Sequence, residues 1–360
     1  MAISKMQQAA LTRMRAGGNS ALDSSLDDEV CSYLISIIVS DLGLTGSFPM
    51  LPSRPAAFFG KLPLKSLRLP NVDFLPTFEK LLKLRPDADA YLACLGKLHK
   101  ARLKYESILE SQPIPTLDQV GPRSLLQFGS LSPNALAGLL FWRKWIFDLD
   151  NRAGQETGYL FEPIIAAAIG GVPFSAGKSP IKRKPEKGKA SPGRRQVDCI
   201  RSEDKRAYEF KLRVTIAASG QGRWGEEMTF PSDAEYSGYT PVLVVLDPTK
   251  NDKLTALANE FKEHRGEVYI GQRAWDHLEE QAGPTMSKFI ERYVRKPMQS
   301  VLKDAPKSQE LPDFLAKMKG NQIVLKVGDE ELRIQRSHRS DLQTGKEPLP
   351  DDVDEEMSTS

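Results

Sequence analysis

The chain has 360 residues, 40% hydrophobic and 27% charged, with a net charge of only +3. That composition suits a soluble globular protein of two or so domains, or of one core with large additions. It excludes a polycation, so nucleic-acid binding has to come from local patches. Cys31, Cys94 and Cys199 are too few and too far apart for a disulfide framework or a zinc knuckle. His99, His264, His277 and His338 are scattered, which argues against a histidine metal site or a Ser/His/Asp triad. No apolar run approaches the ~18 residues of a membrane span.

Residues 1–26 read as a flexible N-terminus. The Gly-Gly-Asn-Ser run at 17–20 breaks any helix, and the acid-free start with Lys5, Arg13 and Arg15 suits a loose helix better than a transit peptide. Residues 27–153 read as a mainly helical region. Val30, Tyr33, Leu34, Ile37, Ile38 and Leu42 recur at helical spacing. Residues 43–76, rich in proline and aromatics, read as irregular. One long helix is expected over 87–111, with Leu92, Leu95, Leu98 and Leu103 inward. Ser132-Pro133 opens another in the cap-then-proline order. Its Trp142, Trp145 and leucine stripe reads as core.

The next helix is expected over 156–169, ending at Gly170-Gly171, with Pro163 a point where it kinks or splits. Glu162 shares an apolar stripe with Ile165 and Ile169, so its carboxylate needs a partner. Glu156 is the second acid of interest there.

Residues 178–195 carry eight basic side chains against Glu186 alone. Prolines and glycines argue against regular structure, and the stretch reads as a cationic arm for DNA phosphates, with Lys182, Arg183, Lys184, Arg194 and Arg195 as contacts. A solvated loop is the plain alternative. The nearby 171–179 run imitates a phosphate-binding loop, but its glycine spacing is one residue too long and Pro180 follows it.

The next stretch alternates. Tyr208, Phe210, Leu212 and Val214 share one face of a strand, while Glu209, Lys211 and Arg213 share the other. Residues 195–200 are also strand-like, with a polar turn between. A hairpin centred between Glu203 and Asp204 sets Asp198 opposite Glu209, with Cβ atoms ~5 Å apart. Carboxylates that close share a proton or hold a cation. Lys211 lies on the same face. Two acids, a lysine and a divalent metal suit phosphodiester hydrolysis. A charged, solvated strand face is the plain alternative.

After this strand, Gly220-Gln221-Gly222-Arg223-Trp224-Gly225 matches a dinucleotide fingerprint, yet Pro231 and Gly238 argue against the helix that fold requires. The run better suits DNA approach, with Arg223 reading guanine or clamping phosphate, Gln221 reading adenine, and Glu226 and Glu227 contacting cytosine or supporting a metal. A continuous apolar strand follows at 240–246, then a helix at 251–264, a short strand at 266–270 and a helix at 275–298 interrupted at 283–284. A late hairpin is expected over 322–336. Residues 339–360 read as a disordered acidic tail. The order of elements predicts an α/β fold (an α+β mixed sheet) flanked by helices, with divisions at 1–26, 27–153, 154–300, 301–338 and 339–360.

Asp198, ten intervening residues and Glu209-Phe210-Lys211 resemble the D-x(n)-[DE]-x-K signature of the PD-(D/E)XK nuclease superfamily, which includes many type II restriction endonucleases. Val197 stands where a proline often precedes the aspartate. Residues 154–297, with AYEFKLRVTIAASGQGRWGEE and GYTPVLVVLDPT as distinctive runs, resemble ApaLI-like type II restriction endonucleases. The resemblance implies a restriction-endonuclease-like core, catalytic Asp198, Glu209 and Lys211, and a helical glutamate at the site, Glu162 before Glu156. It also implies Mg2+ held by Asp198 and Glu209, a double-stranded DNA substrate, a homodimer, a cognate DNA methyltransferase and a bacterial cytoplasmic setting. The rivals are a structure-specific or repair nuclease of the same superfamily and a non-catalytic DNA-binding protein.

Overall fold

The computed structural model describes residues 4–17, 22–185, 193–212, 221–247, 249, 252–307 and 310–337. The acidic tail therefore lies outside the described residues, as do Arg213 and Val214. Helix α1 (Lys5–Arg15) is closed by a capping box between Ser4 and Gln7. It buries Leu11 and Met14, so part of the N-terminal stretch expected to be flexible joins the core. In α2 (Asp28–Asp41) the Asp27 side chain accepts from the Val30 N–H, and almost every residue is buried. Helix α3 (Phe74–Leu84) was concealed by its proline-rich approach, although Phe74, Phe78 and Leu81 hold helical spacing and are buried. Helix α4 (Ala88–Ser111) is the long helix expected there, and a single turn, α5 (Leu117–Val120), follows.

The two helices expected on either side of residue 155 are one. Helix α6 (Pro133–Ala168) starts with Ser132 Oγ accepting from the Ala135 N–H at 3.3 Å and runs through Pro163. An interior proline costs ~3 kcal/mol. Phe161, Ile164, Ile165 and Ile169 are buried around it, and each such side chain contributes ~1.5–3 kcal/mol, which outweighs the break.

The main sheet holds β1 (Val172–Phe174), β2 (Val197–Arg201), β3 (Arg206–Lys211), β4 (Thr240–Val245) and β5 (Glu267–Ile270), in that spatial order. The β1–β2 and β2–β3 pairings are antiparallel; β3–β4 and β4–β5 are parallel. This is the mixed sheet that was expected, with the three-residue β1 added, too short to show alternation. Helix α7 (Gln221–Tyr236) connects β3 to β4, and α8 (Asp252–Glu263) connects β4 to β5. Here the expectation from Pro231 and Gly238 is corrected. The helix forms with Pro231 inside it, because Phe230 and Ala234 are buried on its inner side. Gly238 takes φ 79° just beyond its end.

Strand β4 is central. Its Val242 and Val244 pack into a core with Tyr208, Phe210 and the side chains of α2, α3 and α4. Leu243 and Val245 pack on the other side, with Phe230, Ala234, Leu254, Leu257 and Phe261 of α7 and α8. Helix α9 (Gln272–Phe289) breaks at Gly283 (φ 69°, ψ 178°), where the interruption was expected. A π-helical stretch, Ile290–Arg295, carries it into α10 (Lys296–Lys303). Asp41, almost fully buried, accepts from the Tyr91 and Tyr293 hydroxyls at 2.8 and 2.6 Å and pairs with Arg292, which ties α2 and α4 to that stretch.

The chain divides into two compact units. The first comprises Met1–Ala16, Leu26–Leu98 and Leu160–Lys303, and contains the main sheet. Residues 26–98 thus share a core with the sheet. The second comprises Gly17–Ser25, His99–Tyr159 and Asp304–Ser360. It holds an antiparallel meander of β6 (Phe314–Lys319), β7 (Gln322–Val327) and β8 (Glu330–Gln335). The last two strands are the late hairpin; β6 was not anticipated. Trp145 is buried with Ile323 and Ile334, in keeping with its reading as core.

Cys31, Cys94 and Cys199 are free thiols, all buried. Beside Cys199, the turn between α6 and β1 meets β2 at Gly171. A Cβ at residue 171 would lie 2.2 Å from Cys199 Sγ and 3.2 Å from the Ile200 carbonyl oxygen. Gly171→Ala is therefore expected to lower stability by ~1–3 kcal/mol through overpacking. Adding Cys199→Ala should cost less than the two single changes combined, because the sulfur is the nearest obstacle. Urea unfolding of the four proteins checks this; strict additivity would remove the contact from the explanation.

Candidate active site

Strands β2 and β3 pair Cys199 with Tyr208, Ile200 with Ala207 and Arg201 with Arg206. This is the register read from the sequence, and Lys205 closes the turn with φ 52°. Continued by one rung, it sets Asp198 opposite Glu209. Ala207, Glu209 and Lys211 alternate onto the face that Leu243 and Val245 share, the side covered by α7 and α8. The row is covered rather than solvated: the Glu209 side chain is 17% and that of Lys211 23% exposed.

Asp198 Oδ2 accepts from the Phe210 N–H at 2.9 Å. Burial, and then the charges of Glu209 and Glu162, push its carboxyl well above the usual aspartate range, while Lys211 pulls it partly back. Glu162 therefore acts on Asp198 from α6. Glu156, the other acid considered, pairs with Lys104 at 3.2 Å and Arg152 at 3.5 Å. Lys211 Nζ donates to Glu209 Oε1 and to Glu227 Oε1, each at 2.9 Å. Burial opposes its charge, but the two glutamates hold the ammonium above the ordinary lysine range.

Glu227 was named only as one of two acids of open role. Its signal lay in the spacing: with Phe230 and Ala234 it occupies positions i, i+3 and i+7, an apolar stripe that demands a partner for a carboxylate. That signal was lost because Pro231 argued against a helix. The side chains of Gln221 and Arg223 lie outside the described residues; their backbone forms the first turn of α7. Gly220 is also outside them, and the rest of the dinucleotide-like run is helical. The other imitation, at 171–179, contains β1 and the buried Ser179, whose Oγ accepts from the Ile181 N–H at 3.1 Å.

The basic arm is partly ordered. Lys182 and Arg194 form an antiparallel bridge, with Arg183 N–H to the Gly193 carbonyl at 3.1 Å and Arg195 N–H to the Ile181 carbonyl at 3.0 Å. Residues 186–192 lie outside the described residues. Lys182 and Lys184 are exposed, while Arg194 Nη1 donates to the Ser179 carbonyl at 2.7 Å. Arg183 Nη1 reaches Glu226 Oε1 at 2.8 Å. Arg195, an expected DNA contact, is 6% exposed. Its guanidinium donates to Asp233 Oδ2 at 2.6 Å, to Thr229 Oγ1 at 3.0 Å and to the Glu226 carbonyl.

Among the described residues, no three of His, Cys, Asp and Glu form a ready-made metal cage. The donor chemistry nevertheless fits a hard divalent cation. Asp198, Glu209, Glu162 and Glu227 offer only oxygen, Asp198 resists ionisation beside its neighbours, and Glu227 Oε2 is buried with no hydrogen-bond partner.

A family model described as ApaLI-like restriction endonuclease matches residues 71–295. The type II restriction enzyme ApaLI of Acetobacter pasteurianus is 49% identical over 284 residues, covering 76% of this chain and 75% of that protein. No solved structure matches the chain significantly.

The Asp198 environment has a pH signature. Unfolded, its carboxyl ionises near the ordinary value of 3.8; folded, it ionises at higher pH. Ionisation therefore opposes folding above 3.8, increasingly until the folded group has itself ionised. Asp198→Asn keeps an acceptor for the Phe210 N–H and removes this penalty. In EDTA at neutral pH the variant is expected to be more stable than wild type, with the gain fading as pH falls toward 4. Urea titrations at several pH values check it; a variant less stable at neutral pH would refute the assignment.

Proposed function

The chain belongs to the ApaLI-like restriction endonuclease family, and from that membership we propose which residues cut DNA and how. It is a sequence-specific DNA endonuclease, a type II site-specific deoxyribonuclease that hydrolyses phosphodiester bonds. The family does not favour the rival readings of a repair nuclease or a non-catalytic DNA-binding protein. The observation that supports our assignment is the hairpin register, which faces Asp198 toward Glu209 with Lys211 beside them.

In this reading the nuclease core spans 154–300. Asp198 and Glu209 hold a divalent cation, Mg2+, and Glu162 completes the carboxylate set. When bound, the cation sets positive charge against the scissile phosphate and lowers the pKa of water. Asp198 is oriented for its role by the Phe210 N–H. Lys211 exchanges its bond to Glu209 for the phosphate or the attacking water, orients that water and stabilises the charge that develops.

Lys182, Arg183, Lys184 and Arg194 contact DNA phosphates from the arm. Gln221 and Arg223, at the start of α7, reach base edges in the major groove. A homodimer matches a palindromic target, because protein two-fold symmetry mirrors that of the DNA. A cognate DNA methyltransferase protects the host's own sites, and the enzyme works in the bacterial cytoplasm.

Plasmid and phage DNA incubated with the purified protein are expected to give discrete bands with Mg2+ and none with EDTA. Lys211→Ala is expected to cut ~10²–10³-fold more slowly while still binding DNA. A Mg2+-dependent smear would contradict sequence specificity, and full activity in Lys211→Ala would contradict its role. Separately, replacing Lys182 and Lys184 together by alanine should reduce the slope of log affinity against log salt by about 2. An unchanged slope would remove the arm from the DNA interface.

A further inference from the structure

Helix α7 presents acids to two different partners from neighbouring positions. Glu227 lies with Phe230 and Ala234 on the inner stripe and reaches Lys211. Glu226, Thr229 and Asp233 occupy positions i, i+3 and i+7 on the adjacent stripe. That stripe receives Arg195, through the Glu226 carbonyl, the Thr229 hydroxyl and the Asp233 carboxylate. The Arg195 and Asp233 side chains are only 7% and 5% exposed. The backbone of the arm adds two further ties to the same helix and its end: Lys184 N–H to Asp233 Oδ1 at 2.7 Å, and Lys182 N–H to Ser237 Oγ at 2.8 Å.

We propose that Glu227 is a positioning residue for Lys211, and that the buried Arg195–Asp233 pair sets the helix that carries it. The proposal rests on Lys211 being a catalytic group. A lysine ammonium ends a flexible four-carbon stem. Glu209, two residues away on the same strand, restrains it from one side only. Glu227 grips it from the helix, so the ammonium is fixed between strand and helix before DNA arrives. A displacement of ~1 Å at such a group can cost ~100-fold in rate. The helix position in turn depends on Arg195. Its planar fork serves these three acceptors from two separate nitrogens, a spread that the single nitrogen of a lysine cannot copy. A buried ion pair is weak as a source of stability, but it fixes one arrangement against others. Arg195 thus links the arm to the site without touching DNA.

The test uses the full chain with four variants: Glu227→Gln, Arg195→Lys, their combination, and Lys211→Ala as reference. Cleavage is measured in single turnover at saturating DNA, and affinity is measured in EDTA across salt. Glu227→Gln is expected to cut ~100-fold more slowly with affinity unchanged within about twofold. Arg195→Lys should cut about tenfold more slowly, also with unchanged affinity, and the combination no more slowly than Glu227→Gln alone, because both act through one helix. Wild-type cleavage by Glu227→Gln overturns the proposal. So does a loss of affinity in Arg195→Lys with a salt slope shallower by about 1, which would mark a phosphate contact. Losses that multiply in the combination overturn the link between the two residues. If thermal unfolding shows Arg195→Lys unfolded at the assay temperature, Glu227→Gln decides the matter alone. Undiminished cutting by Lys211→Ala would instead defeat the catalytic reading itself.

Discussion

Two carboxylates facing each other across one rung of a hairpin are the constraint around which the first unit is arranged. Like charges at that spacing are unfavourable in a covered site. Each nearby feature offsets part of the cost. The Phe210 N–H binds Asp198, the Lys211 ammonium is drawn onto Glu209, and α7 supplies a further acid to hold that ammonium. A domain selected for stability alone would place neutral side chains at these positions. Under the proposed function, an anion with its counter-cation is the guest that such an arrangement would serve.

The parts of this design that depend on nearest neighbours in the chain were legible in the residues. Alternation from Tyr208 to Lys211 gave the strand, the Ser-Glu-Asp-Lys turn gave the register, and the register gave the facing acids. The continuous apolar run of β4 announced a strand buried on both faces, as Val242 and Leu243 confirm by entering different cores. Glu162 stood out as a carboxylate on an apolar stripe, and its charge does reach Asp198.

What was not legible depended on tertiary packing overriding local preference. Pro163 and Pro231 both sit inside helices. At each, a local rule predicted a break, and burial of neighbouring side chains prevailed. The second misreading concealed α7, and with it both the grip of Glu227 on Lys211 and the face that receives Arg195. Charge composition misled in a related way. Eight basic residues in one stretch look equivalent in a sequence, yet Arg195 is enclosed by Asp233 and Thr229 while Lys182 and Lys184 stand exposed. Only the fold separates a cation that meets a partner inside the protein from one that meets it outside.

Cys199 lies between Asp198 and Ile200, pressed against Gly171, and burial pushes its thiol up to about 12, as it does for Cys31 and Cys94. Thiolate is the reactive form of cysteine, so all three are chemically quiet while the protein stays folded. Alkylation of Cys199 therefore requires a local opening that uncovers the sulfur. The strand that carries the first acid thus contains its own reporter: the rate at which Cys199 becomes alkylated measures how often this part of the sheet opens.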